Sequence, residues 1–477
     1  MPAMQSAANT QPGRVDFAHL WLDGGWLHNA RVTIDRQGRV SSVSATAEPA
    51  ADGEPLVPGL TLPGMSNAHC HAFQRALGAV TQRASDQSEH PGHKDSFWTW
   101  RETMYALAAR VDRQGLSAIT ARCYLELLRG GYTSVAEFLY LHRLDAARQG
   151  ELNADAAVAD AAALTGMKLT LLPTLYQHSD FGGAPPRPGQ RPFVRSTVQF
   201  LEDWDTLRRR YPAAGEVTLG VAFHSLRAVE LTAIDAVLAA LHDDERCRCL
   251  HIHVAEQVAE VAACVRHHGL APVALMASRG LLTPRWALVH ATHADNREMD
   301  QLRAAGATLV LCPTTEADLG DGIVDFADFL NAGGLLAIGS DSNIGRSAAA
   351  ELRLLEWTQR LTRGQRNVLA THDEPVVADR LYAAALRGGR RATGESLPAS
   401  SEPLRADFVS FEPPAGDWQP HAERDYLSAL VFDGAALQAR QVMVGGKWVI
   451  RDGRHAHEAE IEARYAEALQ RLLAPGV

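Results

Sequence analysis

Between Thr61 and Ser342 short apolar runs recur, separated by longer stretches whose apolar residues return every three or four positions. The runs are TLPGMSNAHCH, TSVAEFLY, KLTLLPTLY, EVTLGVAFHS, CLHIHVAE, WALVHATHA, ATLVLCPTTE and LLAIGSDS, eight in all. Runs this short, bounded by polar turns, predict strands buried on both faces. The intervening DAAVADAAALTG, before Lys168, and NREMDQLRAAG, before Ala307, predict helices, with Gly306 as a C-terminal stop. Eight β–α units in series predict a closed α/β barrel of the (β/α)8 TIM type rather than an open sheet.

The pattern changes at both ends. FAHLWLDGGWLHNARVTIDRQGRVSSV near the start alternates with period two, as do RADFVSFEP (405–413) and RQVMVGGKWVIRDGRH (440–455) near the end. Alternation punctuated by glycine predicts antiparallel strands. The expected division is a loose tail at 1–14 and a small β-sandwich from 15–58 with 400–456. The catalytic barrel then spans 59–399, followed by a C-terminal helix over 457–477. Two polar segments rich in Gly and Pro, Ser85–Lys94 and GGAPPRPGQRPF (182–193), leave the ends of barrel strands, where active-site loops belong.

Composition narrows the class. At 477 residues with 46% hydrophobic and 21% charged residues, the chain can bury a large core as an ordinary globular enzyme. A net charge of −10 without a clustered Lys/Arg face argues against a nucleic-acid partner. The six cysteines are scattered with no CxxC pair, which reads as reduced thiols of a cytoplasmic protein. No apolar run approaches the roughly 20 residues of a spanning helix. The opening MPAMQSAANTQPGR lacks a signal-type apolar segment, so neither membrane insertion nor export is expected.

Candidate chemistry gathers at the strand ends, where a barrel keeps its active site. The first run ends in His69-Cys70-His71, whose two imidazoles share one side of an extended chain. The fifth ends in His251-Ile252-His253 followed by Glu256, the sixth in His290 and His293, and the eighth in Asp341. Singly, each has a plainer explanation: His251 as a core histidine, His293 as a loop cap, Asp341 as a helix cap. Together they place ligand-type residues at one rim.

HxH on the first strand, HxxE on the fifth, His on the sixth and Asp on the eighth resemble the amidohydrolase superfamily. The resemblance covers essentially the whole chain and implies that His69, His71, His253 and Asp341 hold a metal. The fourth strand ends in Ala222-Phe223-His224-Ser225, with no lysine to be carbamylated, so one ion rather than two is expected. Three imidazoles and a carboxylate suit zinc, and iron or manganese would also fit. Such an ion lowers the pKa of bound water toward neutrality, giving hydroxide. Asp341 then takes the water's proton, His290 orients water or oxyanion, and Glu256 protonates the leaving nitrogen.

PGMSNAHCHAFQRAL, DSFWTWRETMY, GYTSVAEFLYLH, LTLLPTLYQHSDFGG, FHSLRAV, LVHATHAD, TEADLGDGI and GSDS more closely resemble the formimidoylglutamate deiminases of histidine breakdown. This implies hydrolysis of N-formimidoyl-L-glutamate, a dicarboxylate amidine, to N-formyl-L-glutamate and ammonia, by an enzyme that is a homo-oligomer, expected as a dimer. Two carboxylates call for guanidinium partners, for which Arg101 and Arg227 are placed. The resemblance adds Gln74, Tyr140 and His224 as neighbours of the substrate. His142, His178 and His293 read as structural. The family usually has His after the SDS of the eighth strand, where Asn343 stands here; Thr314, Thr315, Asp318 and a longer 85–94 loop also depart from it. The rival readings are an aminohydrolase of purine-, pyrimidine- or triazine-like rings, which would want aromatic stacking instead of two arginines, and a non-catalytic assembly protein, which would have lost ligands.

Overall fold

The computed structural model describes residues 13–45, 56–78, 80–82, 96–142, 144, 153–213, 216–395, 404–414, 416, 422–433 and 437–474. The 85–94 loop, with His90, His93 and Lys94, falls outside the described residues.

The four alternating strands at the start are β1 (Arg14–Leu22), β2 (Gly25–Ile34), β3 (Val40–Ala45) and β4 (Val57–Pro63). One residue later the barrel begins with β5 (Met65–Cys70), followed by β6 (Tyr132–Leu139), β7 (Lys168–Leu175), β8 (Val217–Leu219) and β9 (Val221–Ser225). It continues through β10 (Leu250–Val254), β11 (Trp286–His290), β12 (Thr308–Leu311) and β13 (Leu335–Ile338). The chain then returns to the first sheet with β14 (Phe408–Phe411), β15 (Gln441–Val444), β16 (Lys447–Arg451) and β17 (Arg454–His455).

All barrel pairings are parallel, in the order β5-β6-β7-β9-β10-β11-β12-β13, with β8 beside β7. The run EVTLGVAFHS therefore supplies two short strands in place of one, broken at Gly220. Helices lie between successive strands, among them Ala154–Thr165, stopped by Gly166 at φ +72°, and Asn296–Ala304, opened by a reciprocal Asp295–Glu298 cap. The barrel closes where β5 meets the segment after β13. Ser340 and Asp341 donate backbone N–H groups to the His69 carbonyl at 3.0 and 2.9 Å, and His71 N–H returns to the Asp341 carbonyl at 2.9 Å. A Cβ on Gly339 would sit 2.8 Å from that of His69, so this approach of the two edges requires glycine.

The terminal strands form one continuous sheet, β17-β16-β15-β14-β4-β1-β2-β3, in which the two ends of the chain meet where β14 pairs antiparallel with β4. Phe17, Leu20, Val32, Phe408 and Met443 make its own small core, while Trp21 lies edge-on to Tyr382 of helix Val377–Ala392 and joins the barrel core. A final helix, Glu458–Leu473, is tied to helix Arg113–Arg129 by the Arg122–Glu462 and Arg129–Glu458 ion pairs. No helix among the described residues is long and apolar enough to cross a membrane.

Candidate active site and metal centre

Side chains alternate along a strand, and the strand ends use this. His251 and His253, two residues apart, share a face: His251 hydrogen-bonds the Ala392 carbonyl at 2.7 Å, while His253, nearer the strand end, meets His69. His69 and His71 both face inward from β5. At the rim, Ala255, His290, Ala291, Asp341 and Asn343 take positive φ values of 45 to 72°. Non-glycine residues in this region cost conformational energy and persist where the surroundings hold them, commonly at functional sites.

The inward imidazoles converge. His69, His71 and His253 bring ring nitrogens within 4.8 Å of one another, as do His69, His290 and Asp341 with their ligand atoms. Asp341 Oδ1 lies 3.5 Å from His69 Nε2 and 3.4 Å from His71 Nε2. The tautomers are fixed from behind: His71 Nδ1 donates to the Phe138 carbonyl at 3.0 Å and His253 Nδ1 to the His224 carbonyl at 2.8 Å. Each Nε2 is thereby left with its lone pair toward the centre. His253 Nε2 stands 3.0 Å from His69 Nε2, an approach of ring nitrogens that a shared proton or a shared cation satisfies. Burial lowers the pKa of all three imidazoles, to about 3 for His69, so they are neutral. Burial alone would raise the Asp341 carboxyl, but the facing histidines, His69 foremost, hold it below the usual carboxylate range. Neutral imidazoles beside an ionised carboxylate are the protonation state a divalent cation requires.

His290 borders this cluster. Its Nε2 lies 3.7 Å from Asp341 Oδ2 and 3.8 Å from Glu256 Oε1, while Nδ1 meets Glu316 Oε1 at 3.2 Å. Burial opposes its charge, but Glu256, Glu316 and Asp341 outweigh it and push its pKa up to about 10. Glu256 is pushed up to about 8 by burial, against the pull of His290, so its carboxyl retains a proton at neutral pH. Glu316 was not singled out by sequence. It sits in a short helix, Pro313–Leu319, and reaches back across β12, also accepting the Cys312 N–H at 2.9 Å.

The remaining candidates line a pocket above the cluster. Arg101 and Arg227 border it with Gln74, Tyr140, His224 and Glu256. Gln74 Nε2 donates to the Tyr140 hydroxyl at 2.6 Å. Arg101 is 5% exposed, lies 4.3 Å over the Trp98 ring, and its Nε and Nη1 have no hydrogen-bond partner among the described residues. Arg227 donates one bond, to the Ser179 carbonyl at 3.1 Å. His224 is kept neutral by burial and by the Arg227 charge. The same pocket contains Tyr105 and Tyr176, which sequence reasoning passed over although both lie in the quoted motifs.

The departures from the family pattern lie in the scaffold. Asn343, at φ +63°, accepts from Ser340 Oγ at 2.7 Å and donates to the His71 and Asp341 carbonyls at 3.0 and 2.9 Å. Its amide thus braces the barrel seam. Thr314 hydrogen-bonds Glu351, Thr315 meets Ser342, and Asp318 accepts from Gln82. Backbone hydrogen bonds fasten His178 and His293 to Ala228 and Ala255, and the His142 carbonyl receives the Ala154 N–H. Lys168 pairs with Glu395 at the opposite end of the barrel and Lys447 faces Glu216, so neither approaches the cluster.

Comparison with known proteins gives a consistent answer. The model of the amidohydrolase family matches residues 60–449. A formimidoylglutamate deiminase of Pseudomonas aeruginosa is 42% identical over 95% of this chain and 98% of its own length. An 8-oxoguanine deaminase of the same organism is 28% identical over 90% of this chain and 91% of its own. Among solved structures, an amidohydrolase from Brucella melitensis superposes with a TM-score of 0.88 at 36% identity, covering 97% of this chain and all of that one.

Proposed function

From the premise that this chain belongs to the amidohydrolase family, as a hydrolase of carbon–nitrogen bonds, we propose that it hydrolyses N-formimidoyl-L-glutamate to N-formyl-L-glutamate and ammonia. The observation that carries the substrate is the pair Arg101 and Arg227 beside the pocket, Arg101 being buried with Nε and Nη1 unpaired among the described residues. A buried guanidinium without an acceptor is costly, and a carboxylate relieves that cost with two parallel hydrogen bonds.

We assign a single divalent ion, zinc by its preference for imidazole and carboxylate donors, to His69, His71, His253 and Asp341. Bound there, it supplies the Lewis acidity that makes water a nucleophile near neutral pH. The chain's own groups do the rest. Asp341, ionised, accepts the proton released as oxygen adds to the amidine carbon. His290, held by Glu316 on one side, presents its Nε2–H to the oxygen that gains charge. Glu256, protonated through burial, delivers its proton to the departing nitrogen. Carbon–nitrogen cleavage then leaves the formyl group on the glutamate nitrogen and releases ammonia. Arg101 and Arg227 hold the carboxylates, while Gln74, Tyr140 and His224 fill the wall near the amidine.

A ring-shaped amidine is the alternative within the same family, and it would need an open aromatic face. Phe97, Trp100 and Phe193 also line this pocket, so it is the two arginines that favour the dicarboxylate. The deciding experiment is ammonia release from N-formimidoyl-L-glutamate by zinc-loaded protein, beside a chelated control and a purine and triazine panel. Metal-dependent release confined to the dicarboxylate is expected; release from a ring substrate alone would discard this reading.

A further inference from the structure

Behind the two arginines lies a residue that no motif marked. Gln190, fully buried, belongs to the loop that follows β7. Its Oε1 accepts the Arg187 backbone N–H at 2.7 Å, and a backbone donor can only meet the carbonyl end of the amide. The NH2 end is thereby turned toward two phenols, donating to Tyr176 Oη at 2.6 Å and Tyr105 Oη at 3.3 Å. Both phenol oxygens are occupied as acceptors, so their own protons must be spent elsewhere. Neither hydroxyl has a hydrogen-bond acceptor of its own among the described residues.

These phenols share the pocket with Arg101 and Arg227, and the Arg101 guanidinium lies 5.5 Å from the centre of the Tyr105 ring. The corner therefore combines two guanidiniums with phenolic protons free to donate. A carboxylate is the ligand that matches such a donor set in both charge and hydrogen bonds; a neutral group would leave the guanidinium charge unbalanced and a cationic one would be repelled.

We propose that Gln190 is a positioning residue which aims the Tyr105–Tyr176 hydroxyl pair at a substrate carboxylate held by Arg101 and Arg227, making this corner the selector for dicarboxylate over monocarboxylate amidines. The proposal rests on the functional reading above and adds to it the residues that set the choice. A site built to hydrogen-bond a group rejects analogues lacking it far more strongly than an apolar pocket would.

The test compares wild type with Tyr176→Phe and Gln190→Leu, each checked for metal content and melting temperature. Substrates are N-formimidoyl-L-glutamate and a monocarboxylate analogue, N-formimidoyl-4-aminobutyrate. Glutarate binding by calorimetry gives a readout independent of turnover. Tyr176→Phe is expected to raise KM for the dicarboxylate by about tenfold, with a smaller change in kcat. The preference over the monocarboxylate should fall by the same factor, and Gln190→Leu should act in the same direction. Equal losses on both substrates, or an unchanged preference in a well-folded Tyr176→Phe protein, would overturn the proposal. If wild type binds glutarate and Tyr176→Phe weakens it while formimidoylglutamate is not turned over, the function reading fails and this one stands. If wild type does not bind glutarate, the selector fails.

Discussion

Glu256 separates binding from chemistry within one side chain. It is three residues beyond His253 and makes no part of the imidazole cluster, so Glu256→Gln should keep its metal. General acid catalysis by a placed carboxyl contributes about 10²- to 10⁴-fold, and the glutamine cannot supply it. Ammonia release should drop by roughly that factor while metal content, measured by atomic absorption, stays at the wild-type level. The pH dependence has a definite sign. The acid form exists below a folded pKa of about 8 and is lost above it, so kcat should fall as pH rises through that value. A rate flat from pH 7 to 10 would remove Glu256 from the role. At this scale the sequence was readable where spacing carries direction. His251 and His253, two residues apart, share a strand face, yet one bonds the Ala392 carbonyl and only the other, nearer the strand end, meets the cluster. Only the context of the following glutamate marked the second as the ligand. Glu316 was not readable because His290 arrives from another β–α unit, and Gln190, though within a segment read as an active-site loop, was not because Tyr105 arrives from another unit and the 14 residues to Tyr176 carry no periodic signal.

At the scale of elements, the loops that carry the ligands are held by one carboxylate. Glu126, on helix Arg113–Arg129, accepts from Arg75 just after β5 at 2.6 Å, from Arg122 on its own helix at 2.9 Å, and from Arg346 beyond β13 at 2.9 Å. It thus joins both sides of the barrel seam to the helix between them. Its burial works to raise the pKa, but the three guanidiniums, Arg75 foremost, overcome this and hold it below the ordinary glutamate value. A carboxyl whose folded pKa is depressed stabilises the fold fully above its unfolded value and loses that contribution as pH falls through the folded one. Glu126→Gln should therefore cost about 2 kcal/mol near neutral pH, and the gap from wild type should narrow as pH falls through the depressed folded value. Melting curves of the two proteins across pH 3 to 7 check this; a constant gap would mean that packing, not charge, is what Glu126 supplies. The elements themselves were legible from periodicity, since both buried runs and alternating strands leave distinct patterns. The split of the fourth run into β8 and β9 was not, because nothing in EVTLGVAFHS marks the break except one glycine, and a glycine in an apolar run serves equally as a close-packing point.

For the whole molecule the eight-unit rhythm predicted the barrel, and the two alternating ends predicted a companion sheet, because both follow from which residues must be buried. How the barrel closes could not be read, since closure depends on a register between its first and last strands that no neighbouring pattern specifies. That closure is thin: β5 and β13 are joined by a few backbone hydrogen bonds around His69, His71 and Asp341 and an isolated bridge between Cys70 and Asp341. The proposed metal ligands straddle this same seam, His69 and His71 on one side and Asp341 on the other, with His253 completing the set from β10. An ion there would be a structural clasp as well as a reagent. Binding to the folded state alone stabilises in proportion to the logarithm of saturation, so stripping the metal should lower the melting temperature by about 5 °C, with zinc restoring it. The location of the loss is the sharper observable. Amide hydrogen exchange should accelerate at His71, Ser340 and Asp341, whose N–H groups bridge the seam, while β1 to β3, which pair only within the terminal sheet, should keep their protection. Uniform acceleration across both sheets would show that the ion steadies the fold globally; no change at the seam would place it elsewhere. Protection restored by zinc at those three amides would tie the chemistry and the closure of the barrel to one ion.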